Sequence, residues 1–238
     1  KLRKWLESEG SIFQTTSDTE VILHLIAKSK KKSQIDQIVE ALDFLEGAFS
    51  VVILTDNYLV AARDKLGFRP LCLGKLGDSY VVASETCAFD IISAEYIRDI
   101  EPGEVVVIPL IDGDSELESR ALEGKNGERK QCIFEYIYFS RPDSMIFGHY
   151  VDKIRRRLGK ILARKYPVLP VKPDEKVIVM SVPDSSNTAA LGYARELEKM
   201  GVDARFEIGL LRSHYIGRTF IEPGQENREM RVKIKFNP

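Results

Sequence analysis

The 238 residues (27.0 kDa), with 44% hydrophobic and 30% charged side chains, suffice to bury one large core or two modest ones, which excludes a disordered tail or a fibrous protein. The 35 Lys and Arg against 36 Asp and Glu leave a formal charge of -1, so no global field holds nucleic acid or anionic lipid and any anion site must be local. No apolar run approaches the roughly 20 residues of a bilayer span, and Lys1 to Glu7 lacks the apolar core of a signal peptide; the chain reads as cytoplasmic, with no membrane partner.

In chain order, the first recognisable element follows Thr15-Thr16-Ser17-Asp18-Thr19-Glu20, a polar N-cap signature running into Val21 to Ala27. This predicts a helix from Ser17 or Asp18 to about Ser29. Lys28 to Ser33 is a basic connector, and Ile35, Ile38, Val39, Leu42 and Leu45 have the spacing of one face of a second helix over Gln34 to Leu45. Five β-like runs come next: Ala48 to Thr55, Tyr58 to Arg63, Leu71 to Gly74, Ser79 to Ser84 and Glu104 to Pro109. With turn residues at Asp56-Asn57 and Gly77-Asp78, they predict antiparallel hairpins, and two helices over such strands predict an α+β layered domain. Ile111 to Gln131 is polar and contains Gly113, Gly124 and Gly127, the composition of a linker.

Beyond residue 130 the pattern changes. Lys153 to Tyr166 reads as an amphipathic helix, Val177 to Val182 as a fully buried strand, and Thr188 to Met200 as a helix, which together are half of a parallel, nucleotide-binding type of sheet. From Arg212 to Pro238 the chain mixes glycines, Pro223 and charges, with a weak alternation over Val232 to Phe236.

Between that strand and helix, Val182-Pro183-Asp184-Ser185-Ser186-Asn187-Thr188 presents free backbone N–H groups at the positive end of the helix, which favours phosphate, and Ser185 is in reach of a bound Mg2+. Ordinary capping explains the same residues. The segment from His214 to Lys235 has cations at both ends and few apolar anchors, the composition of a lid disordered without substrate or of a solvated loop. Lys28 to Lys32 and Arg155-Arg156-Arg157 lack interleaved aromatics and read as solvated faces. His24 lies on the apolar side of its helix, a structural position, and Cys72, Cys87 and Cys132 are too scattered for a disulfide framework or zinc site and read as thiols.

Several segments together resemble one family. Ser17-Asp18-Thr19-Glu20, Leu45-Glu46-Gly47-Ala48-Phe49-Ser50, Ala62-Arg63-Asp64-Lys65-Leu66-Gly67-Phe68-Arg69-Pro70-Leu71 and Ala83-Ser84-Glu85-Thr86-Cys87-Ala88 are similar to the glutaminase half of the amidophosphoribosyltransferases. Cys132 to Ser144, containing Tyr-Phe-Ser-Arg-Pro-Asp-Ser, with Val182 to Ser186 and Tyr215-Ile216-Gly217-Arg218-Thr219-Phe220-Ile221, resembles their phosphoribosyltransferase half.

The resemblance implies an α+β then α/β chain. An N-terminal-nucleophile (glutaminase type 2) antiparallel sandwich over residues 1–130 would join a type I phosphoribosyltransferase-like parallel sheet over residues 131–238, with a flexible lid at 212–235, both domains incomplete. It implies a pentosyltransferase that forms 5-phosphoribosylamine, glutamate and pyrophosphate from glutamine, water and phosphoribosyl pyrophosphate, the first step of purine synthesis, as a homotetramer inhibited by purine nucleotides. It assigns Asp18 to the glutamine α-ammonium, Ser185 to Mg2+ and pyrophosphate, Tyr215 and Lys235 to closure over the phosphoribosyl substrate, Arg218 in the same motif to an anion contact, and Ile221 to an ammonia channel. Cys132 matches the first ligand of a 4Fe-4S cluster found in one branch; a cluster needs four thiolates, and within this chain Cys132 reads as a buried free thiol.

The family's N-terminal Cys and Asn-Gly pair and its Asp-Asp-Ser-x-x-x-Gly-Thr motif are not in the sequence, so a central fragment inactive by itself is expected. Two other readings compete. A second type 2 glutamine amidotransferase, such as the hexosamine-forming enzyme, shares the first-half strings but has no place for Arg-Pro-Asp-Ser or Gly-Arg-Thr-Phe. A non-catalytic nucleotide-binding or regulatory module would keep the second-half core alone.

Overall fold

Leu6 nucleates the first element, a helix that the sequence pattern did not suggest: α1 (Leu2–Ser8) is short, and Leu6 is fully buried against Val21, Leu25 and Ala41. This is a computed structural model; it describes residues 1–110, 116–125, 127–172, 174–213, 215, 217 and 223–237, and contacts divide the chain into Lys1–Cys132 and Ile133–Pro238. Helix α2 (Glu20–Lys28) starts after Thr19 and stops at Ser29, where the backbone turns extended. Helix α3 (Gln34–Asp43) is capped by Ser33, whose Oγ accepts the Asp36 N–H at 3.2 Å, and it buries Ile38, Ala41 and Leu42 at helical spacing.

The strands of the first unit follow as β1 (Ser50–Leu54), β2 (Tyr58–Arg63), β3 (Cys72–Leu76), β4 (Ser79–Ala83), then α4 (Cys87–Ile92), β5 (Glu95–Asp99), β6 (Glu104–Pro109) and β7 (Glu118–Ala121). They make two sheets ordered β1-β2-β6-β7 and β4-β3-β5, antiparallel throughout. The alternation of side chains explains the layering. Val60, Ala62, Val105 and Val107 face the helices with Ile22, Ile38 and Leu42, while Ala61, Val106 and Ile108 face Leu71, Leu73 and Ile100 of the second sheet. Because β2 and β6 bury both faces, they read as continuous apolar runs. The α+β layering and the antiparallel hairpins are as the sequence indicates. Ile111 to Gln131 is more than a linker: β7 lies within it and pairs Glu118 with Val107 through Ala121 with Glu104. Residues 111–115 and 126 lie outside the described residues.

In the second unit a π-helical turn (Glu135–Phe139) leads to a hairpin of β8 (Met145–Ile146) and β9 (His149–Tyr150), then α5 (Val151–Lys165). Helix α5 buries Val151, Arg155, Gly159 and Ala163, every fourth residue. Arg155 is therefore not part of a solvated face: it is buried and donates from Nε to the Tyr136 carbonyl at 2.5 Å and from Nη2 to the Ser140 carbonyl at 2.7 Å. Strand β10 (Val177–Val179), α6 (Asn187–Lys199) and β11 (Ala204–Phe206) form a βαβ unit with parallel register Val177↔Ala204 to Val179↔Phe206. The Val177 to Val182 run is shorter as a strand than its composition predicts and is not fully buried, since Ile178 and Met180 stay half exposed. Next, β12 (Leu211–Arg212) pairs with β13 (Phe236–Asn237), and between them α7 (Gln225–Lys235) occupies a stretch that reads in sequence as loop or weak strand. Helix α7 buries no residue, consistent with the scarcity of apolar anchors there.

Candidate functional site

In an open parallel sheet, ligands bind beyond the carboxyl ends of the strands. At that end of β10 the chain turns through Val182 to Ser186 into α6 and borders a cleft of about 310 Å³, lined in part by Ser181, Asp184, Asn187, Thr188 and Arg212. The peptide between Pro183 and Asp184 is cis. Hydroxyls at this turn serve the loop rather than the helix. Ser186 Oγ donates to the Val182 carbonyl at 2.6 Å, Ser181 Oγ donates to Asn187 Oδ1 at 2.7 Å, and no side chain caps α6. The Asn187 N–H donates to the Asp184 carbonyl at 3.3 Å, and the rest of this first turn, without a side-chain cap, borders the cleft with the positive end of the helix.

Arg212 reaches the turn from β12 and donates from Nη1 to Asp184 Oδ2 at 2.5 Å. Two further polar atoms there, Arg212 Nε and Thr188 Oγ1, are buried without a hydrogen-bond partner. Buried polar atoms are nearly always satisfied, so a guanidinium N–H and a hydroxyl left over in one cleft beside a helix N-terminus mark a place for an anion's oxygens. Ser185 lies half buried in the same turn, but it is Ser181, Asp184 and Thr188 that line the cleft.

The remaining second-half candidates are spread differently. Tyr215 is fully exposed, whereas Lys235, the last residue of α7, donates from Nζ to the Gly217 carbonyl at 2.9 Å and lies 5.7 Å from the Phe236 ring centroid. Arg218 and Ile221 lie outside the described residues. Cys132 is half buried, and its N–H donates to the Phe68 carbonyl at 3.0 Å. Cys72 and Cys87 are buried free thiols, and burial pushes the Cys72 thiol up to about 12. Among the described residues no three His, Cys, Asp or Glu side chains cluster as metal ligands, so the chain does not by itself build a four-thiolate cluster site.

In the first unit, Asp18 is exposed at the start of α2, with its carbonyl accepting the Val21 N–H at 3.1 Å. Glu20 fixes that turn. Its carboxylate accepts the N–H groups of Gln14 and Thr15 at 2.7 and 2.9 Å and the Thr15 hydroxyl at 2.7 Å, and these bonds, the Thr15 hydroxyl foremost, pull it down to about 2. Asp18 is thus an unburied carboxylate on a pinned turn, suited to meet an ammonium group.

Arg63 and Asp64 organise the segment that follows β2. Arg63 is fully buried and donates to the carbonyls of Arg69, Ile100 and Gly67 at 2.7, 2.6 and 2.8 Å. The Asp64 carboxylate accepts the N–H groups of Phe49, Leu66 and Phe68 at 3.3, 3.0 and 3.1 Å. Gly67 is required between them: its φ is +63°, and a Cβ there would lie 2.7 Å from the Pro102 ring. Sequence reasoning singled out the polar turn after β10, Thr188 included, but missed Arg212, whose importance rests on a contact and an unpaired atom in three dimensions.

Comparison with known proteins gives concordant findings. Residues 1–90 match a family model described as a glutamine amidotransferase domain. The whole chain is 49% identical to an Arabidopsis thaliana protein named amidophosphoribosyltransferase 3, chloroplastic, and 46% identical to the amidophosphoribosyltransferase of Bacillus subtilis, covering 42% and 46% of those proteins. A solved structure of glutamine phosphoribosylpyrophosphate amidotransferase from B. subtilis, complexed with ADP and GMP, superposes with a TM-score of 0.83 at 46% identity, over 99% of this chain and 48% of that one. The chain spans somewhat less than half the length of these relatives.

Proposed function

We propose that this chain, which is homologous along its whole length to amidophosphoribosyltransferases, forms the central part of such an enzyme. The complete enzyme would release ammonia from glutamine and use it to convert phosphoribosyl pyrophosphate to 5-phosphoribosylamine and pyrophosphate. The observation that carries this reading is that identity of 46% to 49% extends over the whole chain, and so over both units.

The geometry supports a division of labour between the units. In the first unit, the antiparallel layers with the pinned Asp18 turn would hold the glutamine side, Asp18 pairing with the α-ammonium. In the second unit, the parallel β10 and β11 joined by α6 support a type I phosphoribosyltransferase-like sheet, with the pyrophosphate group in the cleft at Asp184, Thr188 and Arg212. Mg2+ binds through one or two protein oxygens together with substrate phosphates, and Asp184 and Ser185 offer those oxygens. Bound there, it would neutralise phosphate charge. Tyr215, Lys235, Arg218 and Ile221 would complete the closed site from the second half of the chain. Cys132 offers a single thiolate, and a 4Fe-4S cluster at this position needs further thiolates that this chain does not bring to it. Purine-nucleotide inhibition, a homotetramer and a cytoplasmic setting complete the proposal.

Calorimetric titration of the purified chain with Mg2+ and phosphoribosyl pyrophosphate tests it. Saturable binding, weakened about tenfold by Arg212→Gln, is expected, with glutamate release by this chain alone at background. Binding of purine nucleotides without any of phosphoribosyl pyrophosphate would replace this reading with that of a regulatory module.

A further inference from the structure

The second-unit cleft contains its own competitor for the ligand. Arg212 is the cation at its mouth, and its Nη1 is taken by the Asp184 carboxylate at 2.5 Å, while its Nε is buried and has no partner. The guanidinium is therefore only partly engaged: Nη1 meets a carboxylate, while Nε, like Thr188 Oγ1 beside the same cleft, is buried without a partner. A carboxylate and a phosphate oxygen are the two acceptors that suit a planar guanidinium, and although Nη1 carries two N–H groups, two anions held side by side on one guanidinium repel each other and compete for its charge. We propose that Asp184 and Arg212 form a latch: in the unliganded protein the carboxylate holds β12 to the turn after β10, and a polyphosphate anion entering the cleft displaces it from the guanidinium.

This rests on the reading of the cleft as a pyrophosphate site, yet the latch has a consequence that needs no ligand. The carboxylate is half exposed and the guanidinium side chain is 31% exposed, so the pair is screened and its effect is a few-fold one. Breaking it loosens β12 where Leu211 and Arg212 pair with Asn237 and Phe236 and where the Ser213 N–H donates to the Lys235 carbonyl at 2.7 Å.

The test compares the unaltered chain with Asp184→Asn, Arg212→Gln and the double variant, using Mg2+-free sodium pyrophosphate as the probe. Asp184→Asn is expected to tighten pyrophosphate binding about three- to fivefold, and to speed amide exchange at Ser213 by a similar factor in ligand-free protein. Arg212→Gln weakens binding about tenfold, and Asp184→Asn then brings no further gain in the double variant. Weaker binding of the Mg2+-free anion in Asp184→Asn would make the carboxylate a direct contact of pyrophosphate itself, not one made through Mg2+, and would overturn the latch. Unchanged Ser213 exchange would overturn it as well. If the unaltered chain binds no pyrophosphate while Asp184→Asn still accelerates exchange, the functional reading of the cleft fails and the contact between carboxylate and guanidinium stands.

Discussion

Gly159 and Gly192 meet where α5 packs on α6. A Cβ on Gly159 would fall 1.9 Å from the Ala189 carbonyl oxygen, and one on Gly192 would fall 2.3 Å from that of Arg156. Backbone touches backbone at this contact, so the separation of the two helices is set by the absence of two methyl groups. Gly192→Ala gains helix propensity of about 1 kcal/mol but forces the helices apart. We expect a net loss of about 1–3 kcal/mol, read as a lower denaturant midpoint. Stabilisation by the alanine would refute the close approach.

Arg63 donates to three main-chain carbonyls while fully buried. Arg63→Met leaves those carbonyls without donors, and a loss of about 3–5 kcal/mol is expected. Lysine should not restore it, because one ammonium cannot span the positions that the planar fork reaches. Urea unfolding of both variants checks this, and full recovery by Arg63→Lys would show that charge, not geometry, matters.

Glu104 is buried beneath the turn into β6, accepting from both Arg98 Nη atoms at 2.9 and 2.8 Å, from the Glu101 N–H at 2.7 Å and from Ser119 Oγ at 2.6 Å. Burial pushes its carboxyl up, but these donors outweigh burial and leave it below its ordinary value of 4.5. A folded-state value below the unfolded one means that the stabilisation is present above about pH 4.5 and is lost as pH falls through the folded value. Glu104→Gln should therefore cost about 1–3 kcal/mol at neutral pH and progressively less in acid. A pH-independent difference would contradict this.

Asp99 carries the opposite slope. Burial raises its carboxyl above the ordinary 3.8, against the pull of the Tyr96 hydroxyl that donates to it at 3.1 Å. Its contribution is fully present below pH 3.8 and is lost as pH rises through the raised value. Asp99→Asn is expected to raise the unfolding midpoint at neutral pH, with the gain vanishing in acid. Urea midpoints across a pH series separate the two carboxylates.

Glu20 holds the turn that presents Asp18. Glu20→Gln removes the charge that three donors share, and hydrogen exchange at Gln14 and Thr15 should speed while exchange in α3 stays unchanged. Equal acceleration in both would indicate global destabilisation instead.

Legibility in the sequence followed the source of each element's stability. Helix α3 announces itself through a local cap and apolar spacing and α2 through its apolar spacing, and β2 and β6 do so because both of their faces are buried. Strand β7 does not: Glu118-Ser119-Arg120-Ala121 is polar and is a strand only because β6 offers it a ladder. Strand β5 is hidden likewise by the charges of Glu95, Arg98 and Asp99. Arg155 looks like part of a solvated cationic triplet, and its burial depends on the carbonyls of Tyr136 and Ser140 from an earlier turn. In the cleft, the polar turn after β10 is visible in sequence as a run of caps. Its partner Arg212 comes from 28 residues further on, and no local rule relates the two.

The contacts of Arg63 and Asp64 have a consequence for how this chain can vary. Residues 64–71 adopt neither helix nor strand, yet their amides and carbonyls are claimed by two adjacent side chains of opposite charge. Insertion of a single residue there would strand several of those groups at once, whereas the Asp56-Asn57 turn, closed by the bond from the Thr55 N–H to the Tyr58 carbonyl at 2.9 Å, could lengthen into solvent. The irregular segment is thus the part of this layer least able to accept a change of length, and the tight hairpin is where an added residue would cost least.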